Sequence, residues 1–317
     1  MQSIRVFAPG AADVLKFTEV EIAEPERDQV QVKVSLAGVN FIDVYHRRGQ
    51  YPIPMPEPLG SGIGIEGIGE LSDGRAVFWL SALGSYAQYI NIPETQLAGL
   101  PESSLTNEEI LPLLCQGMTA HYLVDSAYAV KEGEWALVTA AAGGVGLILT
   151  QLLKNRGAHV IALASTPERA EIAKEHGADL VGTYKQIKEL TRQATNGAGV
   201  EVVFDSVGKD YFDECLEALA PAGMYILYGG ASGPVPPFDL MRLNAKSLGI
   251  RRPTLATYSA TAPERLRRLS ELIKLTEGGK LRYPATKVFP LDRAQNAHEL
   301  LESRTYSGKI GLDPWKT

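Results

Sequence analysis

The sequence predicts an α/β protein of two folded units, a β-rich first section followed by a doubly wound parallel sheet. Three observations predict it. From about Glu134 to Arg252 short apolar runs alternate with helix-period segments, the signature of βαβ crossovers. At the head of that stretch Trp135-Ala136-Leu137-Val138-Thr139-Ala140 runs into Ala141-Ala142-Gly143-Gly144-Val145-Gly146, a strand meeting a glycine turn and a helix start. Residues 1–115 instead carry short β-like runs separated by proline and glycine.

In the first section the expected strands are 4–7, 31–39 and 86–92. Tyr51-Pro52-Ile53-Pro54-Met55-Pro56-Glu57-Pro58 reads as an extended loop, because each proline lacks the N–H that a central strand needs. Gly62-Ile63-Gly64-Ile65-Glu66-Gly67 matches G-x-G-x-x-G letter for letter, yet Ile68 to Gly74 is too short and turn-rich for a crossover helix. Residues 60–69 therefore read as a glycine-laced strand whose glycines permit bends or close backbone approach.

In the second section the expected strands are 135–140, 159–164, 180–184, 201–206, 224–228 and 247–251, with helices at 147–154, 168–175, 185–194 and 212–219. Thr166 before Pro167 caps the second helix and Gly177 ends it. After Arg252 come helices 263–276 and 292–303 and a closing strand 308–312, the first helix placing Leu266, Leu269, Leu272 and Ile273 on one face. The expected organisation is a β-rich domain over 1–117, a doubly wound domain over 118–256, and a tail over 257–317 that packs back onto one of the two.

A chain of 317 residues, 45% hydrophobic and 21% charged, can bury two ordinary globular cores. The N-terminus lacks a signal pattern and no window approaches 18 apolar residues, so the expectation is a cytoplasmic protein without a membrane partner. The net charge of −6 argues against a general nucleic-acid surface, leaving Arg265, Arg267 and Arg268 as the local basic candidate. Cys115 and Cys215 form no disulfide or zinc framework and are expected as buried thiols. His46, His121, His159, His176 and His298 include no close-spaced metal pair and read as surface or structural residues.

A strand, a glycine turn and a helix start aim free N–H groups and the positive helix end at one point, which suits a pyrophosphate. The competing reading is an ordinary tight strand-to-helix connection. NAD-binding chains place an acidic residue about 20 positions beyond the glycines, on the ribose hydroxyls. Here that place holds Ser165-Thr166, with Arg169 in the first helical turn. The absence of a carboxylate and the presence of a guanidinium favour NADPH over NADH. Arg169 as a solvated surface charge is the alternative.

Asn40-Phe41-Ile42-Asp43-Val44-Tyr45, Arg48-Gly49-Gln50-Tyr51-Pro52, the turn at 140–146, Asp205-Ser206-Val207-Gly208 and Arg252-Pro253 together resemble the NADPH quinone oxidoreductases. These are the zeta-crystallin-like, zinc-free branch of the medium-chain dehydrogenase/reductases, and the similarity runs over nearly the full chain. The resemblance implies a GroES-like substrate domain built from both chain ends, a Rossmann domain between them, an active site in the cleft and a homodimer. Zinc-dependent relatives carry a Cys near Val39-Asn40 and a Gly-His-Glu after the proline loop. This chain has Gly38-Val39-Asn40 and Leu59-Gly60-Ser61-Gly62 instead, so a metal site is not expected.

Without a metal the substrate must already be electrophilic, as a quinone is, and the protein must orient and polarise it. The resemblance assigns Asn40 to a carbonyl or the nicotinamide ribose, and Tyr45 and Tyr51 to stacking and hydrogen-bonding the quinone. The bland alternative has both tyrosines packing as half-buried aromatics and Asn40 stabilising a turn. On the cofactor side it assigns Ala142, Gly143, Gly144, Val145 and Gly146 around the pyrophosphate, Ser165, Arg169 and Tyr184 around the adenosine phosphate, and Thr119 to cofactor binding. Ser206, Val207, Gly229, Gly230 and Ser232 would line the nicotinamide side, and Lys309 is a further candidate for reaching the cofactor. Gln116 stands where relatives often carry Lys, so a hydrogen-bond donor replaces a cation. The segment 69–78 is short for the family, and Ala141 replaces the usual first glycine. Reduction of an α,β-unsaturated ketone or aldehyde fits the same residues as quinone reduction. An RNA-binding or structural zeta-crystallin-like protein is the alternative of another class.

Overall fold

Eleven consecutive residues, Gln29–Val39, form the strand on which the first unit is built, burying Val32, Val34, Leu36, Ala37 and Val39. β-Branched and aliphatic residues at this density suit a strand covered on both faces. The computed structural model describes residues 1–316. Two units emerge: one of 1–115, 259–277 and the segment from Tyr283 onward, the other of 116–258 and 278–282.

In the first unit the sheet order is Lys287–Pro290, Ile310–Asp313, Gln29–Val39, Glu66–Glu70, Ala76–Trp79 and Leu97–Gly99, with Tyr89–Pro93 also paired to Gln29–Val39. A smaller sheet joins Gln2–Val6 to Lys16–Glu19 and Ser61–Gly62. The closing strand runs antiparallel to Gln29–Val39 with Ile310 opposite Val39. That register brings the residue before Ile310 alongside the residue after Val39, which are Lys309 and Asn40.

The expected strand over 60–69 is two strands, Ser61–Gly62 and Glu66–Glu70. Gly64 separates them at φ +87°, and the Tyr86 ring lies 2.3 Å from where a Cβ would stand there, so only glycine admits both the turn and the ring. Phe41–Arg47 forms a helix that the residue pattern alone does not announce.

The second unit is a six-stranded parallel sheet: Trp135–Val138, His159–Ala164, Leu180–Thr183, Val200–Asp205, Leu219–Leu227 and Gly249–Arg251. Their spatial order is third, second, first, fourth, fifth, sixth, the Rossmann order, with the direction of winding reversing between the first and fourth strands. The fifth strand begins at Leu219, earlier than expected, and carries a register irregularity opposite Val200 and Val202. Helix Gly144–Asn155 begins inside the glycine turn itself, whereas Pro167–Glu175 starts behind the Thr166 cap as anticipated.

The helix Ala262–Glu277 corrects one expected face. Leu266 is 42% exposed, while Arg265, Arg268, Leu269, Leu272 and Ile273 are buried, a set spaced i, i+3, i+4, i+7 and i+8. Arg265 occupies the apolar stripe because its guanidinium donates to the carbonyls of Thr95, Leu97, Ser259 and Ala260. Arg268 pairs with Glu264, and Arg267 bridges Glu264 and Glu271. Arg265 and Arg268 are thus buried on partners within the chain, whereas Arg267 is 41% exposed beside its two acids. Among the described residues no helix is long and apolar enough to cross a membrane.

Candidate functional site

Three strand ends of the second unit converge on the glycine turn. Ala140 takes φ +47° and donates its N–H to the Tyr184 hydroxyl at 3.0 Å, which pins the turn to the end of the third strand. Tyr184 stacks on Tyr211 with centroids 4.2 Å apart and planes 12° from parallel, and burial pushes its phenol up to about 12. Gly143 is the N-cap of helix Gly144–Asn155 and supplies no side-chain cap. The first N–H groups of a helix have no intrahelical acceptor, so this end is left to an external anion. A Cβ on Gly144 would fall 2.3 Å from Gln116 Nε2, so the bare glycine lets the Gln116 amide lie against the helix start. Thr119, one helical turn beyond Gln116, is buried.

Arg169 is tied to the same turn by a guanidinium bond to the Ala142 carbonyl at 3.1 Å. Its backbone N–H bonds the Thr166 hydroxyl, the cap of its helix. Ser165 is exposed immediately past the second strand. Gln116, Ala142 to Gly146, Arg169 and Tyr184 thus gather at one end of the parallel sheet. An uncapped helix start with a guanidinium and no carboxylate on its flank fits a phosphorylated dinucleotide.

At the fourth strand the organising group is one to which sequence reasoning gives no role of its own. Asp205 is wholly buried and its carboxylate accepts from Thr139 Oγ1 at 2.7 Å, Tyr225 OH at 2.6 Å, and the N–H groups of Val207 and Gly208 at 2.8 and 2.9 Å. Ser206 N–H in turn bonds Thr139 Oγ1. The Ser232 hydroxyl donates to the Val207 carbonyl at 2.8 Å and accepts the Asp210 N–H, joining the two loops. Ala231 and Gly233 donate backbone N–H groups to Ser206 and Gly230 respectively, which folds Gly229 and Gly230 over the fourth strand's end. The signal that could have found Asp205 is an acid directly after the apolar run Val202 to Phe204, a position that demands fixed donors.

The first unit holds a second polar cluster, buried under the helix Phe41–Arg47. Asn40 is that helix's N-cap and is 6% exposed. Its Nδ2 donates to Glu66 Oε1 at 2.9 Å and its Oδ1 accepts from Lys309 Nζ at 2.9 Å. Lys309 and Glu66 themselves form an ion pair in which neither side chain is exposed. Glu66 Oε2 also accepts the Cys115 N–H at 2.7 Å. The expectation that Lys309 reaches a cofactor meets a different placement, since antiparallel pairing delivers its ammonium to Glu66 and Asn40. Glu66 escapes sequence reasoning because it sits inside a run read for its glycines.

Asp43 Oδ2 accepts the Asn40 N–H at 2.8 Å and the Tyr86 hydroxyl at 2.9 Å, and Tyr86 OH lies 3.1 Å from His298 Nε2. Burial, only partly offset by these two donors, raises the Asp43 carboxyl to about 7, and burial lowers His298 to about 3. Two residues further along the helix, Tyr45 meets Tyr51 edge to face, centroids 5.4 Å apart. Tyr51 is 45% exposed, so this aromatic pair has an open side. Cys215 is buried and Cys115 half-buried, both as free thiols. Among the described residues no three His, Cys, Asp or Glu side chains gather in a metal-binding group.

Comparison with known proteins gives a consistent result. The Zinc-binding dehydrogenase family model matches residues 144–274. The chain is 35% identical over 316 residues to a probable quinone oxidoreductase of Schizosaccharomyces pombe, covering 98% of this chain and 96% of that one. It is 34% identical to a 2-haloacrylate reductase of a Burkholderia species, covering 96% of each. The crystal structure of Escherichia coli quinone oxidoreductase complexed with NADPH superposes with a TM-score of 0.92 at 35% identity, covering 99% of this chain and all of that one.

The Asp43 carboxyl generates a pH prediction. In the folded chain it keeps its proton up to about pH 7, whereas in the unfolded chain it loses it near the ordinary value of 3.8. The folded state therefore binds more protons across that window, and this group's contribution to stability falls as pH rises through it, by at most about 1.4 kcal/mol per pH unit. Asp43→Asn removes that slope while keeping an acceptor for Asn40 and Tyr86. Melting curves from pH 4 to 7 should show the variant gaining on the native protein as pH rises; a constant difference would refute the assignment.

Proposed function

The chain belongs to the quinone oxidoreductase family of the medium-chain dehydrogenase/reductases, and from that premise we propose that it reduces quinones with NADPH without a catalytic metal. The observation that carries this reading is the uncapped glycine helix start at Gly143 to Gly146, flanked by Arg169 and by Ser165-Thr166 in place of a carboxylate. NADPH, when bound, supplies hydride from C4 of its dihydronicotinamide. Ala142 to Gly146 would hold the pyrophosphate, Arg169, Ser165 and Tyr184 the 2′-phosphate side, and Ser206, Val207, Gly229, Gly230 and Ser232 the nicotinamide side. The bond to the Ala142 carbonyl holds the Arg169 guanidinium beside the glycine turn, where its charge would favour a phosphate.

For the acceptor, Tyr45 and Tyr51 offer an exposed aromatic face and Asn40 an amide held in one orientation. Reduction to the hydroquinone takes two electrons and one proton as hydride and a second proton from solvent, so no dedicated strong acid is required. The residues therefore need only orient and polarise a conjugated carbonyl. The likeness to a 2-haloacrylate reductase favours a second reading, hydride addition to an activated C=C bond, since the same orientation serves it.

From the same premise we infer a cytoplasmic homodimer. Among the described residues Gly249–Arg251 pairs along one side only, and Leu240 and Met241, both 71% exposed, precede it in the chain, so this edge is where a second copy would add. Light scattering that returned the mass of one chain would remove the dimer.

Arg169→Ala should raise the NADPH dissociation constant by about 10- to 100-fold and leave NADH nearly unchanged, the loss of a charge-assisted bond of about 1.5–3 kcal/mol. Equal effects on the two would sink the phosphate role. Oxidation of NADPH against a panel of quinones, enones and short aldehydes tests the reaction itself. Turnover confined to quinones supports the primary reading, turnover confined to enones the second, and neither survives inertness toward the whole panel.

A further inference from the structure

An asparagine amide is nearly symmetric in shape, so packing alone hardly distinguishes its two orientations, and its hydrogen-bond partners decide which end points where. Asn40 meets two partners that cannot exchange roles. The Lys309 ammonium only donates, which fixes Oδ1 toward it, and the Glu66 carboxylate only accepts, which fixes Nδ2 toward it. Both charges are wholly buried and satisfy one another, and Glu66 is further anchored by the Cys115 N–H. A buried pair of this kind contributes little net stability over an apolar replacement and is better explained by what it specifies.

The chemistry of the amide adds a second consequence. With one N–H on Glu66, Asn40 keeps one further N–H for an outside acceptor. A cation on Oδ1 draws electron density from the amide and strengthens that donor. We propose that Lys309 and Glu66 are positioning residues that lock the Asn40 amide in one orientation and present its remaining N–H to the carbonyl oxygen that gains charge during reduction. The inference rests on the reading of Asn40 as a substrate-orienting group. Lys309 and Glu66 touch neither substrate nor cofactor in this account and act through Asn40.

The test is single-turnover NADPH oxidation with 1,4-benzoquinone, alongside NADPH affinity by titration and melting temperature. The variants are Asn40→Ala, the charge-neutral pair Glu66→Gln with Lys309→Met, and the triple combination. Asn40→Ala should slow hydride transfer by about 100-fold and the neutral pair by at least about 10-fold, each with NADPH affinity within about twofold of native. The triple variant should be no slower than Asn40→Ala alone, because the pair has no target once the amide is gone. A native rate for Asn40→Ala overturns the role of Asn40 and this inference with it. A slow Asn40→Ala with a native-rate neutral pair, or with a triple variant slowed by the product of both effects, overturns the positioning role alone. Lys309→Arg, which keeps the charge in a different donor geometry, is the second variant should the neutral pair fail to fold. It should slow transfer at an unchanged melting temperature, and a native rate there also overturns the positioning role.

Discussion

A carboxylate sealed from water has to be met by fixed donors, and the Asp205 side chain shows how much structure that requirement can order. Four donors converge on it, two from side chains of neighbouring strands or their ends and two from the backbone just beyond its own strand. Each bond is worth only about 1.5–3 kcal/mol, yet leaving the charge uncompensated would cost several. The loops after the first, fourth and fifth strands are therefore held to one another before any ligand arrives. Their backbone groups end up at the carboxyl edge of the sheet, where open parallel sheets bind ligands.

The first unit obeys the same rule with two charges instead of one. Glu66 and Lys309 neutralise each other in a place where neither has accessible surface, and the amide and backbone groups around them fall into a single arrangement. Asp43 follows another course in the same cluster: it faces no cation closely enough to offset burial, so its proton is retained to about neutral pH. Burial thus yields a paired carboxylate at Glu66 and a reluctant one at Asp43, within one polar cluster.

The parts legible from sequence are those set by local rules. Alternation of apolar runs and helix-period segments locates the six parallel strands, and the Thr166 cap and Gly177 stop bound a helix to within a residue. The glycine turn at 141–146 is distinguished by the helix behind it, since the letter-perfect motif at 62–67 forms the end of one short strand and the start of another and leads into no helix. The features that escape the sequence depend on distant partners. Lys309 and Glu66 are 243 positions apart, so no window contains both, and only the antiparallel register of the closing strand reveals their meeting. Arg265 misleads for a related reason: a charged residue on an apolar stripe looks like an error until the four carbonyls that receive it are seen.

The helix that carries Arg169 begins at a threonine whose hydroxyl receives the Arg169 N–H. Aspartate performs the same service at a helix start at least as well as threonine does. One replacement at position 166 could therefore install an acid beside the proposed phosphate site without loosening the helix. Coenzyme preference is in that sense lightly held, set at a helix cap while the scaffold beneath it stays the same.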